Sequence, residues 1–181
     1  MHILKLVVLL SVFIIFSLKN GMSKNIYDFK INDIDGNEIQ LNEFKGSPIL
    51  LVNTASRCGF TGQYQNLANL FLNYKDKGLI VLATPSNSFK QELSSKDEVK
   101  NFCLINYQTK FIISDIIDVK GDDAHMLYKW IRSEYGKTPK WNFYKFLFNT
   151  AGQLEESWSS MIKPDNNKIT NKIDKIILSQ L

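Results

Sequence analysis

The sequence has few of the residues that build metal sites, disulfide scaffolds or low-complexity chains. Its 181 residues include two cysteines, two histidines, four prolines and nine glycines. A Cys/His zinc cluster would need all four of the cysteines and histidines, whose spacing is wrong for one, and two cysteines are too few for a disulfide-stapled miniprotein. The proline and glycine content excludes collagen-like and Pro-rich low-complexity chains. The net charge of +4 gives no electrostatic case for nucleic-acid binding.

The N-terminal segment lacks the length of a membrane span, which needs roughly 20 apolar residues. Residues 6–18 form an apolar run of thirteen that is interrupted only by two serines. Lys5 precedes the run and Lys19 follows it, a pattern typical of a secretory signal peptide, although no small-x-small cleavage site follows. We therefore expect residues 1–21 to be a signal peptide or an N-terminal membrane anchor, and the protein to be exported, periplasmic or membrane-anchored. If translation starts at Met22 instead, the protein is cytoplasmic.

The rest of the chain, residues 22–181, alternates between strand and helix patterns. The apolar runs Pro48–Val52 and Leu79–Ala83 are typical of central strands that are covered on both faces. The other predicted elements are a hairpin over 29–41, a short extended piece at 111–113, strands at 143–148 and after Gly152, and helices at 63–76, from Ser95 or Asp97 onward, at 122–135 and at 165–181. This order predicts a single three-layer α/β domain with a central sheet flanked by helices and an N-terminal hairpin.

Cys58 is the candidate nucleophile. It comes just after a buried strand and just before a helix, at the edge of the sheet where α/β folds place their sites. The positive end of the helix dipole and free backbone N–H groups favour the thiolate, which is the reactive form, and Arg57 adds positive charge nearby. The alternative is a small buried cysteine that only fills space.

The neighbours of Cys58 restrict its chemistry. Thr61 occupies the position where a Cys-x-x-Cys exchange enzyme has its second thiol, which argues against an exported disulfide reductase. A cysteine hydrolase needs a histidine base, and His125 lies on a helix that packing otherwise explains. A lone activated thiol is suited to attacking a peroxide, which gives a sulfenic acid that condenses with a second thiol.

Three stretches of the chain resemble motifs of the glutathione peroxidase family. They are Leu51–Tyr64, Pro85–Glu92 and Trp141–Leu147, and the resemblance runs from about residue 26 to the C-terminus. It implies a thioredoxin-like fold with a mixed sheet, no cofactor and no metal. It also implies that Cys58 attacks the peroxide and that Gln91, Trp141 and Asn142 surround it as polar groups that donate hydrogen bonds.

One motif departs from the family pattern. The segment from Phe89 through Lys90 to Gln91 lacks the glycine that the family commonly has after the phenylalanine, and Leu93 and Ser94 stand where Pro-Gly is usual. The loop is about one residue short. This departure affects the expected approach of Gln91 to Cys58.

Which reductant is expected depends on whether Cys103 resolves the sulfenic acid. The resemblance implies that a cysteine in this region resolves the sulfenic acid and that thioredoxin then reduces the disulfide. On the residues alone, Cys103 shares a helix face with Val99 and Phe102 and fits a buried core thiol equally well. Glutathione stays open as the alternative reductant.

The short segment Arg132–Lys140 implies a monomer, because tetrameric glutathione-using members of the family carry a long loop there. The resemblance thus predicts a thiol-dependent peroxidase of the oxidative stress response that reduces hydrogen peroxide or organic and lipid hydroperoxides. An N-terminal anchor would bring it close to membrane lipids. The alternative function is a non-enzymatic redox sensor or partner-binding protein on the same fold.

Overall fold

The computed structural model describes residues 24–179, so the expected signal peptide or anchor at residues 1–21 lies outside the described residues. The strands are Lys30–Asn32 (β1), Glu38–Gln40 (β2), Ile49–Thr54 (β3), Ile80–Pro85 (β4), Ile112–Ile113 (β5), Lys145–Phe148 (β6) and Leu154–Trp158 (β7), and the helices are Gln63–Tyr74 (α1), Lys96–Tyr107 (α2), Met126–Tyr135 (α3) and Asn167–Leu178 (α4). None of the helices in this part of the chain is long and apolar enough to cross a membrane.

The central sheet is mixed, as the sequence and the resemblance predict. Its strand order is β5-β4-β3-β6-β7, in which β3, β4 and β5 are parallel and β6 and β7 run antiparallel to their neighbours. All six residues of β3 are buried, because β3 is the middle strand and is covered on both faces. The separate hairpin β1-β2 is the predicted N-terminal hairpin.

Alternate residues of β3 face two different hydrophobic clusters. Leu50 and Val52 belong to a cluster that contains the apolar faces of α1, α2 and α4. Ile49 and Leu51 belong to the other, which contains α3 and the hairpin. Because successive side chains of a strand point to opposite faces, each face of the sheet packs against its own set of helices, which gives three layers. The C-terminal ends of the parallel strands β3 and β4 lie at the same edge of the sheet.

Several predicted boundaries differ from the structure by two or more residues, and for two of them the structure shows the reason. The strand predicted at 143–148 begins at Lys145, because Phe143 has φ +61° and cannot continue an extended strand. The helix predicted from Asp122 begins at Met126, because the His125 ring accepts a hydrogen bond from the Leu127 N–H and so caps the helix there. The alternatives for the start of α2 are settled at Ser95, which forms a capping box with Glu98.

Candidate active site

Cys58 lies in the turn that joins the end of β3 to the start of α1. Its side chain is 8% exposed. The Cys58 Sγ accepts a hydrogen bond from the Phe60 N–H at 3.4 Å, so one backbone donor already points at the sulfur. A donor of this kind stabilises a thiolate without introducing a charge. The sequence correctly placed Cys58 between a buried strand and a helix, although α1 begins only at Gln63.

Thr61 shapes the turn that carries the thiol. Its Oγ1 accepts a hydrogen bond from the Cys58 N–H at 3.0 Å. The same hydroxyl faces the carbonyl oxygens of Ala55, at 2.9 Å, and Cys58, at 2.7 Å, and donates its proton to one of them at a time. Thr61, at the position of the second thiol in a Cys-x-x-Cys motif, therefore rigidifies the loop instead of taking part in redox chemistry.

Gln91 and Asn142 contact each other at this edge of the sheet. The Asn142 Nδ2 donates a hydrogen bond to the Gln91 Oε1 at 3.0 Å, although the two residues are 51 positions apart. The Gln91 carbonyl accepts the Arg57 N–H at 2.9 Å, which ties the Gln91 loop to the residue beside Cys58. The shortened loop thus still brings Gln91 to the site.

Lys90 explains how the loop makes this turn without the family's usual glycine. It has φ +61°, a left-handed conformation that glycine adopts without steric cost. Its N–H donates to the Asn87 carbonyl at 2.8 Å, which closes the turn. The loop therefore keeps a glycine-like conformation with a lysine in place.

Trp141 lies at the surface of the site, with 40% of its side chain exposed. Its ring packs against Phe89 with the centroids 5.2 Å apart, so the second and third motifs are in direct contact. Asn142, the next residue, is completely buried. The exposed indole and the buried carboxamide therefore belong to adjacent residues of one loop, which contacts Phe89 and Gln91 of the second motif.

Asn53 is a positioning residue that the sequence reasoning missed. Its Nδ2 donates to the Trp141 carbonyl at 3.1 Å, and its Oδ1 accepts the Tyr144 N–H at 3.0 Å. Its own carbonyl accepts the Phe143 N–H at 2.6 Å. This fully buried amide at the end of β3 therefore fixes the whole Trp141–Tyr144 loop. The available signal was an amide side chain directly after the apolar run that forms β3.

A second buried network links the start of α1 to the same loop. The Lys145 Nζ donates to the Gln63 Oε1 and to the Ile162 carbonyl, each at 2.6 Å. The Gln63 Nε2 donates to the Ser160 carbonyl at 2.6 Å, and the Ser160 hydroxyl donates to the Asn142 carbonyl at 2.5 Å. Burial lowers the pKa of Lys145 to about 7. Lys145 was also missed, since a lysine in a strand pattern is normally assigned to the surface.

Cys103 lies in α2 and is fully buried in the hydrophobic core, while both cysteines are free thiols. Burial raises the pKa of Cys103 to about 12. Cys103 thus faces the core, in agreement with one of the two alternatives that the sequence left open, and a resolving role for Cys103 stays a prediction. His125 contacts the start of α3 through its ring, and burial lowers its pKa.

A family model described as glutathione peroxidase matches residues 26–132, more than half of the chain. The chain belongs to the glutathione peroxidase family. It is accordingly a peroxidase, an oxidoreductase of the thiol-dependent type, whose family acts on hydroperoxides with thiol reductants. The matched segment contains Cys58, Gln91 and Cys103, whereas Trp141 and Asn142 follow it.

Curated relatives of this glutathione peroxidase family cover most of the chain. A glutathione peroxidase-like peroxiredoxin, gpx1, of Schizosaccharomyces pombe is 40% identical over 158 residues, which is 84% of this chain and 99% of the relative. A hydroperoxy fatty acid reductase, gpx1, of Synechocystis is 37% identical over 166 residues, covering 86% of this chain and 97% of the relative.

A solved structure supports the same assignment. The crystal structure of Trgpx in its apo form matches with a TM-score of 0.70 and 35% identity, covering 86% of this chain and 97% of the other. The fold is therefore the thioredoxin-like α/β architecture of the glutathione peroxidase family, as the resemblance predicts.

Proposed function

We propose that this peroxidase reduces hydrogen peroxide and organic or lipid hydroperoxides through Cys58, and that Gln91, Trp141 and Asn142 assist the reaction. The observation that carries the proposal is the meeting of the three motifs at one edge of the sheet. The Arg57 N–H beside Cys58 donates to the Gln91 carbonyl, and the Asn142 side chain donates to the Gln91 side chain. The Trp141 carbonyl accepts a hydrogen bond from Asn53, and the Trp141 ring packs against Phe89. The motifs come from distant parts of the chain, so packing of one element does not explain their convergence.

The first step converts the Cys58 thiolate and a hydroperoxide into a sulfenic acid and an alcohol. The sulfur attacks the terminal peroxide oxygen, the O–O bond breaks, and the departing alkoxide takes up a proton. For hydrogen peroxide the product is water. The carboxamide and indole N–H groups of the site can stabilise the negative charge that develops on the departing oxygen, because they donate hydrogen bonds without bringing a competing charge.

The second step uses Cys103. Its thiol attacks the Cys58 sulfenic acid, a disulfide forms, and water leaves. Cys103 is buried in the second turn of a regular helix, so α2 has to unwind locally before the sulfurs meet at disulfide geometry. Thioredoxin then reduces the exposed disulfide. The peroxiredoxin name of the yeast relative supports this route over a glutathione-dependent one.

The proposals for the substrate and the location rest on separate observations. The name of the Synechocystis relative, a hydroperoxy fatty acid reductase, supports lipid hydroperoxides among the substrates.

We propose that the protein works as a monomer and that residues 1–21 direct it to the membrane or across it. Fractionation of cells that produce the full chain tests the location, and a soluble cytoplasmic product starting at Met22 would contradict it.

The direct test uses the reduced full chain and one equivalent of tert-butyl hydroperoxide. Intact-mass analysis should show the loss of two hydrogens, and thioredoxin with its reductase and NADPH should reverse it. A gain of oxygen without a disulfide would assign a one-cysteine enzyme that awaits an external thiol. Oxidation without turnover would favour the redox sensor.

Two variants separate the roles of the cysteines. Cys58→Ser should abolish peroxide turnover, and turnover retained in that variant would contradict the mechanism. Cys103→Ser should allow one oxidation of Cys58 but block cycling with thioredoxin. An unchanged steady-state rate in Cys103→Ser would identify Cys103 as a core thiol only.

A further inference from the structure

Lys145 is a buried amine that the reaction steps above do not use. It lies opposite Val52 in the sheet, on the face that α1 and α4 cover, and it is fully buried. Among the described residues no carboxylate forms a salt bridge with it. An apolar side chain would fill the same space without the cost of burying an unpaired charge. Packing of the core therefore does not explain a lysine at this position.

Lys145 fixes the direction of the Gln63 amide. Its Nζ donates to the Gln63 Oε1 and to the Ile162 carbonyl, each at 2.6 Å, and both the charged and the neutral amine have the two N–H donors that these oxygens use. Because the oxygen of an amide only accepts and its nitrogen only donates, the Gln63 nitrogen is turned away from the lysine. It donates to the Ser160 carbonyl at 2.6 Å. Two carbonyls of segment 160–162 are thus held from one lysine.

The network reaches Asn142 through the Ser160 hydroxyl, which donates to the Asn142 carbonyl at 2.5 Å. Asn53 fixes the residues on either side of Asn142, whereas Ser160 fixes Asn142 itself. The Asn142 Nδ2 donates to Gln91, and its Oδ1 has no hydrogen-bond partner among the described residues. The direction of this carboxamide therefore depends on how its backbone is held.

The same network is joined to the turn that carries the thiol. Gln63 is the first residue of α1, and its N–H donates to the Phe60 carbonyl at 2.8 Å. The Phe60 N–H in turn donates to the Cys58 Sγ. Lys145 is thus linked by hydrogen bonds to the turn of the attacking sulfur and to the loop of the carboxamide.

We propose that Lys145 is a positioning residue for the oxidation of Cys58 and acts through Asn142. The inference rests on the proposed role of Asn142 in stabilising the departing oxygen. Lys145 contacts no reacting atom in this role. Without it the Gln63 amide is free to rotate, the Ser160 carbonyl loses its donor, and Asn142 is no longer held where its amide meets the developing charge.

The test is a single-turnover assay on the reduced full chain. One equivalent of hydrogen peroxide is added, and the reaction is quenched at intervals in a denaturing solution of a thiol-alkylating reagent. Intact-mass analysis then gives the rate at which Cys58 is oxidised. Lys145→Met should slow this oxidation roughly tenfold, because a small displacement of a group at a reacting centre is costly. Oxidation of Lys145→Met at the native rate would overturn the proposal.

A double variant separates positioning from a general loss of stability. Ser160→Ala removes the hydroxyl that holds the Asn142 carbonyl and should slow oxidation by a factor similar to that of Lys145→Met. Because the two residues act in series, the double variant should be no slower than the slower of the single variants. If the two factors multiply instead, Lys145 does not act through Ser160 and the proposal fails.

Gln63→Glu tests the direction of the amide. It keeps an oxygen against the Lys145 Nζ but replaces the nitrogen that donates to the Ser160 carbonyl with a second oxygen. The positive charge of Lys145 favours the ionised carboxylate, which has no proton to donate. We expect oxidation of Cys58 to slow as it does in Lys145→Met. A native rate in Gln63→Glu would contradict the proposed link to Ser160.

Ile173→Ala is the matched control for lost stability. Ile173 is fully buried in α4, in the hydrophobic cluster on the same face of the sheet, and has no part in the network. The variant should lower the unfolding midpoint and leave the oxidation rate of Cys58 unchanged. Slowing equal to that of Lys145→Met would mean that stability sets the rate, and the positioning role would be wrong.

Asn142→Ala distinguishes this inference from the function on which it rests. If Asn142→Ala is oxidised at the native rate, the proposed role of Asn142 fails and the role of Lys145 fails with it. If Asn142→Ala is slow and Lys145→Met is not, only the role of Lys145 is overturned.

Discussion

Asn53 positions the catalytic loop through a single carboxamide. Replacing it with alanine leaves the Trp141 carbonyl and the Tyr144 N–H without their buried partner. We expect Asn53→Ala to lower the free energy of unfolding by roughly 2–6 kcal/mol, at about 1–3 kcal/mol for each of the two stranded groups. Because Asn142 lies in the same loop, oxidation of Cys58 should slow several-fold, as measured by stopped-flow tryptophan fluorescence.

Tyr128→Phe is a matched control for Asn53→Ala. It removes a buried hydroxyl that bonds to the Thr84 hydroxyl at 2.6 Å, on the face of the sheet covered by α3. It should destabilise the protein and leave the oxidation rate of Cys58 unchanged. An equal slowing in both variants would mean that lost stability, and not the position of the loop, sets the rate.

Trp141 offers a prediction about the exposed side of the site. Trp141→Phe keeps an aromatic ring against Phe89 but removes the indole N–H donor. We expect slower oxidation of Cys58 with an unchanged unfolding midpoint, measured by chemical denaturation and by the rate of peroxide consumption. Trp158→Phe in β7 is the control, and equal oxidation rates in the native protein and Trp141→Phe would remove the assigned role.

Single residues differ in how well the sequence predicts their role. The sequence placed Cys58 correctly between a buried strand and a helix, and the motifs indicated that Gln91 and Asn142 lie close together, while their catalytic roles stay predictions. The burial of Glu92 and Lys145 could not be predicted, because an isolated charged residue in a strand or loop has the same pattern whether it is buried or solvated. Their burial depends on which distant segments pack against them, and no local periodicity records that.

At the scale of elements, the N-terminal cap of α2 should control the release of Cys103. Ser95 and Glu98 form a capping box at the start of this helix. Loss of a serine cap costs about 1 kcal/mol, which corresponds to roughly a fivefold change in a local opening equilibrium. Ser95→Ala should therefore accelerate disulfide formation about fivefold in the single-turnover assay, because the helix unwinds more often.

The control for Ser95→Ala is Asn166→Ala, which removes the equivalent cap of α4. It should cost a similar amount of stability without changing the rate of disulfide formation. If Ser95→Ala also leaves that rate unchanged, opening of α2 does not limit the resolving step.

The accuracy of the predicted elements depended on the strength of the local signal. The starts of β3 and β4 were predicted to within a residue, since continuous apolar runs bounded by turns allow few other structures. The start of α3 was four residues too early, because two aspartates preceding a helix are as compatible with a turn as with the first helical turn. Phe143 was placed in a strand because its left-handed φ is set by the Asn53 contact, which is not local.

For the whole molecule, the lowered pKa of the buried Lys145 predicts how the free energy of unfolding changes with pH. Burial lowers its pKa in the folded state to about 7, against 10.5 for the ordinary side chain. Between these values the unfolded chain binds a proton that the folded protein does not, so stability rises with pH. Below about pH 7 both states are protonated and this contribution is flat.

The slope of that rise is measurable. From pH 7.5 to 9, Lys145 should increase the free energy of unfolding by up to about 1.4 kcal/mol per pH unit. The unfolded cysteines, whose ordinary pKa is about 8.5, release protons in the same range and lower the total slope, so the Lys145 contribution is the difference from a variant without this lysine. Urea denaturation at intervals of half a pH unit gives the slope. Lys145→Met should lose this contribution, whereas Lys163→Met, at an exposed site, should keep it.

The first described residues lie at the far end of the sheet from the thiol. The Ile26 N–H donates to the Gly152 carbonyl at 3.0 Å, and the Tyr27 hydroxyl donates to the Ser47 carbonyl at 2.8 Å. Both contacts are next to the beginning of β3, whereas Cys58 follows its end, about 20 Å away for a strand of this length. A purification tag, a solid support or a lipid surface joined before Lys24 would therefore hold the domain with its reactive sulfur directed outward, where hydroperoxides and a reductant as large as thioredoxin can reach it.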